Sequence, residues 1–175
     1  LMVYYKSNTP MVFGNIARTM AIKQLNVFSA QVFITHNFHA LCTIMFQNKK
    51  GMPLDHDRLN NLRKAIIAGL DDHSQTLDIS ASTRQIFEIP TKISFLENMS
   101  KKQTNLEIST LDRQGLLAKI GITLGSLDCL IRAARITTTG ERADDFFAIT
   151  DVNGLPLAPS KKEELSAALK AALDG

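Results

Sequence analysis

Arg113-Gln114-Gly115-Leu116-Leu117-Ala118-Lys119-Ile120 aligns, at an offset of 104, with Thr9-Pro10-Met11-Val12-Phe13-Gly14-Asn15-Ile16. Both stretches leave a turn and enter a run with apolar residues at helical spacing. The same register carries Thr19 to Thr123, Ala30 to Ala134 and Thr35 to Thr139. One residue is then lost, so that Ala40 meets Ala143 and Gly51-Met52-Pro53-Leu54 meets Gly154-Leu155-Pro156-Leu157. Identity is low, but polarity and turn residues agree, which is how an internal duplication reads.

Working outward, each copy gives the same run of elements. Met2 to Lys6 and Asn105 to Thr110 read as strands, rich in β-branched or aromatic residues. Val12, Phe13, Ile16 and Met20 recur at helical spacing, as do Leu117, Ile120, Leu124 and Leu127. Val27 to Thr35 and Ile131 to Thr139 are expected as second strands. Turns at His36 to His39 and Gly140 to Arg142 return the chain as third strands, Ala40 to Asn48 and Ala143 to Asp151. Each third strand ends on a turn signal, Lys50-Gly51 or Asn153-Gly154.

A second helix follows in both copies. Ser160 and Glu163 have capping-box spacing ahead of Leu165, Leu169 and Leu173. In the first copy Asp55 or Asp57 can cap, and Leu59, Leu62, Ile66 and Leu70 form the expected buried stripe. The order βαββα plus one strand is the ferredoxin-like plan: an α+β fold with helices on one face of an antiparallel sheet. Thr91-Lys92-Ile93-Ser94-Phe95 is expected to complete the first copy. The predicted division is 1–97, a linker at 98–103, and 104–175, where the second copy's fourth strand is missing or supplied from elsewhere.

Composition narrows the classes. The chain has 175 residues, 45% hydrophobic and 21% charged, a globular balance. No apolar run approaches the length of a membrane span, and no signal-peptide pattern opens the chain. It starts inside an apparent strand, Leu1-Met2-Val3-Tyr4-Tyr5, and so reads as part of a longer protein. Two cysteines, Cys42 and Cys129, are too few for a disulfide scaffold or zinc site and point to a reducing, cytoplasmic setting. The net charge of +3 is spread without the concentrated basic patch that nucleic acid requires.

The wording between and within the copies is more specific than the fold. Glu88-Ile89-Pro90-Thr91-Lys92-Ile93-Ser94-Phe95, then Asp112-Arg113-Gln114-Gly115-Leu116-Leu117, then Ala134-Arg135-Ile136-Thr137-Thr138 and Asp145-Phe146-Phe147 together resemble one family. It is the C-terminal regulatory region of bacterial bifunctional protein-PII uridylyltransferase/uridylyl-removing enzymes, which carries two ACT domains. The resemblance implies a parent that transfers UMP to PII signalling proteins and removes it, with magnesium in its catalytic parts. It implies that the ACT pair senses glutamine and that ACT units pair within or between chains.

The chain itself carries no set of catalytic or metal-ligating residues that could do that chemistry, and no cofactor is expected in it. His56, between Asp55 and Asp57, and His73 read as the ends of a surface helix rather than as metal ligands. Ligand binding is expected in the loop of copy two, at Asp112, Gln114, Gly115, Leu116 and Leu117. A helix start favours a carboxylate, and glycine allows close approach. Asp112 is suited either to a ligand ammonium group or to capping the helix. A bulky residue at Gly115 should block the ligand, provided the backbone there is not left-handed.

Two departures from the family pattern stand out. Gln114 occupies a usual proline position, and Met11 and Asn8 stand where copy one would need glycine and aspartate. Cys42 reads as a small core residue. An RNA-recognition module would need sheet aromatics in a basic setting, and Phe33, Phe46, Phe146 and Phe147 lack a Lys/Arg-Gly-Phe run. An acylphosphatase-like enzyme would need an Arg- and Gly-rich first loop, and a ligand-free dimerisation module remains the third alternative.

Overall fold

The computed structural model describes residues 1–6, 10–35, 37, 39–70, 90–96 and 102–174. Asn8, His73, the Glu88-Ile89 pair, most of the 98–103 linker, and His36 of the first turn lie outside the described residues.

The first copy supplies β1 (Met2–Lys6), α1 (Val12–Ile22), β2 (Asn26–Ile34), β3 (His39–Gln47) and α2 (His56–Gly69). After it come β4 (Lys92–Leu96), β5 (Thr104–Leu111), α3 (Leu116–Ser126), β6 (Leu130–Thr139), β7 (Arg142–Thr150) and α4 (Pro159–Asp174). Among the described residues these seven strands join one antiparallel sheet in the order β1-β3-β2-β6-β7-β5-β4.

Two ferredoxin-like units therefore share a single sheet, joined where β2 meets β6. The junction pairs Ser29 with Thr137, Gln31 with Arg135 and Phe33 with Ala133. The repeat offset maps Gln31 onto Arg135, so an approximate two-fold axis passes through that pair and relates the units. Helices obey the same axis. Gly14 of α1 meets Gly121 of α3 backbone to backbone: a Cβ on Gly121 would sit 2.6 Å from the Gly14 Cα. The symmetric counterpart is a cluster of Ala17 and Ala21 with Ala118. Small residues let the two helix axes come this close, and the side chains around them seal the core.

That core runs through both copies. Ile16, Met20, Ile120, Leu124, Phe147, Leu165 and Leu169 are all buried, and the Phe13 and Phe147 rings meet edge to face at 6.1 Å across the unit boundary. In α2 the stripe holds at Leu62, Ile66 and Leu70, but Leu59 is exposed because it lies in the first turn, before the helix reaches α1. Asp55 caps α2 by accepting from the Arg58 amide at 2.8 Å. Ser160 lies within α4 rather than ahead of it. Helix α4 begins one residue earlier, at Pro159, whose fixed φ and missing N–H suit a first helical position.

The strand expected to complete the first copy pairs elsewhere. β4 runs antiparallel to β5, with Ile93 opposite Ile108 and Phe95 opposite Leu106. The order β4-β5-β7-β6 is the full ferredoxin-like sheet, so this strand is the second unit's fourth strand, delivered from before the unit rather than after α4. Chain distance explains the choice. β4 is separated from β5 by a short connection, whereas the β1 edge lies at the opposite end of the sheet. The Thr91 hydroxyl completes the attachment, bonding to Thr110 at 2.8 Å and to the Asp174 carboxylate at the end of α4.

Candidate functional site

The β5–α3 loop forms one wall of a cavity at the junction of the units. The cavity, of about 470 Å³, is lined by Asp112, Gln114, Gly115, Leu116 and Leu117 of the second unit. The first unit supplies the opposite wall from the end of α1 and the start of β2, including Ala17, Ala21, Leu25 and Asn26. All five residues singled out in the sequence thus come together, and a wall that the sequence did not assign to the site completes them.

Gly115 sits just before α3 with φ 85° and ψ 0°, the left-handed conformation. Its glycine is therefore required by the backbone as well as by any close approach, and Gly115→Val would strain the loop whatever the cavity contains. The helix end is tied by the Leu116 amide donating to the Arg113 carbonyl at 3.0 Å. Asp112 does not cap α3: Gly115 is the cap residue and no side-chain cap bond is made. Asp112 is exposed and lies in the cavity lining. Partial withdrawal from water raises its pKa, while the Arg113 amide donating to it pulls the other way. Gln114, where a proline is usual, donates from its amide nitrogen to the Ala21 carbonyl at 3.1 Å and ties the loop to the first unit.

Copy one's counterpart is occupied by its own side chain. Met11 takes the position equivalent to Gly115, and a Cβ built on Gly125 would collide with the Met11 sulfur. Gly125 is the repeat equivalent of Ala21, so the thioether fills the corner that the Gln114 loop leaves open in the other copy. Met11 is buried, which is the ordinary use of a flexible thioether in a helix interface.

Asp145 was not singled out as a site residue; it sits on β7 opposite Ile108 of β5 and is outside the lining of the junction cavity. It is 2% exposed on the helix-facing side of β7. One carboxylate oxygen accepts from the Thr137 amide at 3.3 Å, and Oδ2 has no partner among the described residues. Burial raises its pKa to about 7, helped by the charges of Asp112 and Asp144 and opposed by the Thr137 amide. A buried acid between two apolar neighbours, Ala143 and Phe147, was the available signal in the sequence.

Cys42 and Cys129 are buried free thiols whose pKa values burial pushes up to about 11, so both are inert core residues. Among the described residues no group of three or more His, Cys, Asp or Glu side chains is arranged to hold a metal ion. Phe147 is core, Phe46 and Phe146 are half-buried, and Phe33 is exposed with the uncharged Leu41 and Ala133 opposite it on the neighbouring strands. No helix among the described residues is long and apolar enough to cross a membrane.

No family model matches the chain. Whole-protein comparison is informative. The chain is 34% identical over 92% of its length to the bifunctional uridylyltransferase/uridylyl-removing enzyme of Vibrio campbellii. It is 32% identical over 94% to that of Photobacterium profundum, and 28% over 94% to that of Haemophilus influenzae. The chain is a relative of one region of these enzymes. It spans about 19% of the length of each. Among solved structures, aspartate kinase from Synechocystis superposes with a TM-score of 0.54 over 99% of this chain and 26% of the kinase, at 12% identity. That likeness is one of fold. Similarity to a fifth of a bifunctional enzyme, in a duplicated unit with a cavity at its junction, supports a regulatory role.

Proposed function

We propose that the chain is the C-terminal, ACT-type regulatory region of a cytoplasmic bifunctional enzyme, and that it binds glutamine at the junction cavity. The parent would transfer UMP to PII signalling proteins and remove it, with magnesium held in its catalytic parts. Neither nucleic acid nor membrane is assigned as a partner. Pairing of such units between chains is a further expectation.

The observation that carries this reading is the cavity itself. It offers a carboxylate, Asp112, beside the first turn of α3, where the partial positive charge of a helix start favours an anion. A free amino acid presents one ammonium and one carboxylate group, which these two features complement. The side-chain amide would meet Asn26 or Gln47, both in the lining. Because the two walls belong to different units, a ligand would bind tightly only when the units are closed on one another, and so would bias their arrangement.

Calorimetry with glutamine tests this on the chain and on its Asp112→Asn variant. Binding to the parent chain with at least about tenfold weakening in the variant is expected, the loss of a charge-assisted contact. Equal binding by the two proteins would move the ammonium site away from Asp112. No binding by either would favour a ligand-free pairing module. The chain alone is expected neither to add UMP to PII proteins nor to remove it.

A further inference from the structure

Gln114 is exposed on the β5–α3 loop, lines the junction cavity, and donates from Nε2 to the Ala21 carbonyl at 3.1 Å. That carbonyl lies in the last turn of α1, where helix carbonyls run out of intrahelical partners and attract donors. It accepts the Gln24 amide at 2.9 Å, and its second lone pair takes the Gln114 side chain. At the equivalent corner of the other copy, the Met11 thioether lies against Gly125, the repeat equivalent of Ala21. Both copies thus close the same corner with a side chain of their own loop. The two closures differ in kind. Met11 is buried and packed into the helix interface, whereas Gln114 is held at the surface by one side-chain hydrogen bond among the described residues.

We propose that the Gln114 carboxamide is a displaceable occupant of the cavity's amide subsite, and that the primary carboxamide of a ligand takes its place at the Ala21 carbonyl. The inference rests on the reading of the cavity as an amino-acid site. Its physical basis is identity of donors. A ligand carboxamide brings the same N–H groups that Gln114 uses, so the exchange keeps a hydrogen bond on Ala21 and returns the loop's side chain to water. Asn26 stands in the same wall as Ala21 and can donate to the carboxamide oxygen. A ligand carboxylate has no N–H to give and meets the negative end of the α1 dipole, so the subsite takes glutamine and rejects glutamate. The occupant also sets the affinity, which is reduced to the fraction of molecules in which Gln114 has left the corner.

Removing the occupant should therefore tighten binding. Gln114→Ala should bind glutamine about two- to tenfold more tightly than the parent chain, the range set by one hydrogen bond of ordinary strength. A contact that only ties the two units together gives the opposite sign, because its loss would loosen the closed cavity and weaken binding. Calorimetry on the two proteins reads the sign, and a circular-dichroism melt checks that the variant is folded. Equal or weaker binding of glutamine by folded Gln114→Ala would overturn the proposal.

A measurement on the unaltered chain separates the occupant from the choice of ligand. In the nitrogen-15 spectrum of the whole chain, the side-chain NH2 signals of Gln114 are assigned by their loss in Gln114→Ala. They should move to the values of a solvated glutamine side chain when glutamine saturates the cavity. Acetamide, a bare carboxamide, should move them the same way at high concentration, and acetate, which has no N–H, should leave them in place. Displacement by acetamide with no heat from glutamine would mean that the assigned ligand is wrong while the occupant stands. Glutamine bound with the Gln114 signals unmoved, acetamide without effect, or acetate as effective as acetamide would each show that Gln114 is not a displaceable occupant.

Discussion

Single residues of the β5–α3 loop form one wall of the cavity, and its residues and Asp145 were legible to different degrees. Asp112, Gly115 and the start of α3 could be picked out because their chemistry is local: an acid, a glycine and a helix start within a few positions. Asp145 could not, since its burial depends on strands brought together from distant positions, and its alternation with Ala143 and Phe147 only hints at an inward side chain. Two residue-scale outcomes follow. Gly115→Ala should destabilise the chain by about 1 kcal/mol, because a Cβ is disfavoured at φ 85°. Chemical denaturation at pH 7 checks it, and no loss would mean that the loop relaxes to an ordinary conformation. Asp145 should impose its own pH dependence. Its folded pKa, about 7, lies above that of an unfolded aspartate, so the folded state holds more protons and stability falls as pH rises from about 4 to about 7. The decline cannot exceed about 1.4 kcal/mol per pH unit from one group. Urea melts across that window should show the decline in the parent chain and a shallower one in Asp145→Asn, and parallel curves would place the titration elsewhere.

At the scale of elements, helical spacing and alternation located every described strand and helix to within a residue or two, because both signals are periodic and survive low identity between the copies. Partners are harder to read than elements. The strand at 92–96 was recognisable from Ile93 and Phe95, yet nothing in its composition says whether it joins the β1 edge or β5; the short connection to β5 decides. The helix crossing was equally hidden, because Gly14 and Gly121 look like weak points in two helices when each is read alone. Together they are the place where two backbones touch. Replacing Gly121 by alanine should gain about 1 kcal/mol of helix propensity and lose more to the clash, since the Gly14 backbone is 2.6 Å from the new Cβ and cannot rotate away. A net destabilisation of about 1–3 kcal/mol is expected by denaturant titration, and a stabilised variant would show that the helices stand further apart.

The whole molecule is a pseudo-symmetric pair whose symmetry is broken where it matters. Backbone pairing through Gln31 and Arg135 and the α1–α3 contact follow the two-fold axis, but the junction cavity on one side has a methionine in its counterpart position on the other. A duplicated sequence can thus keep one architecture while the equivalent corners of its two copies diverge. Joined by a ladder and a helix crossing, the units should not unfold independently. The boundary contains main-chain hydrogen bonds from Ser29–Thr137 to Phe33–Ala133, the touching backbones of Gly14 and Gly121, and the Phe13–Phe147 ring contact. Opening it would expose two bare strand edges and the apolar sides of two helices at once, a cost comparable with the whole stability of a small domain. Hydrogen exchange read by mass spectrometry in increasing urea should therefore lose protection in β3 and β7 at one midpoint, although these strands belong to different units. In Gly121→Val, where the crossing is wedged apart, the two midpoints should separate, with β3 opening first. The first unit is the one whose described strands lack a fourth member, whereas β7 is flanked by β5 and β6 and backed by α4. Separate midpoints in the unaltered chain would mean that the shared sheet is only a contact between two independent folds, and the cavity at their junction would then form and vanish with that contact.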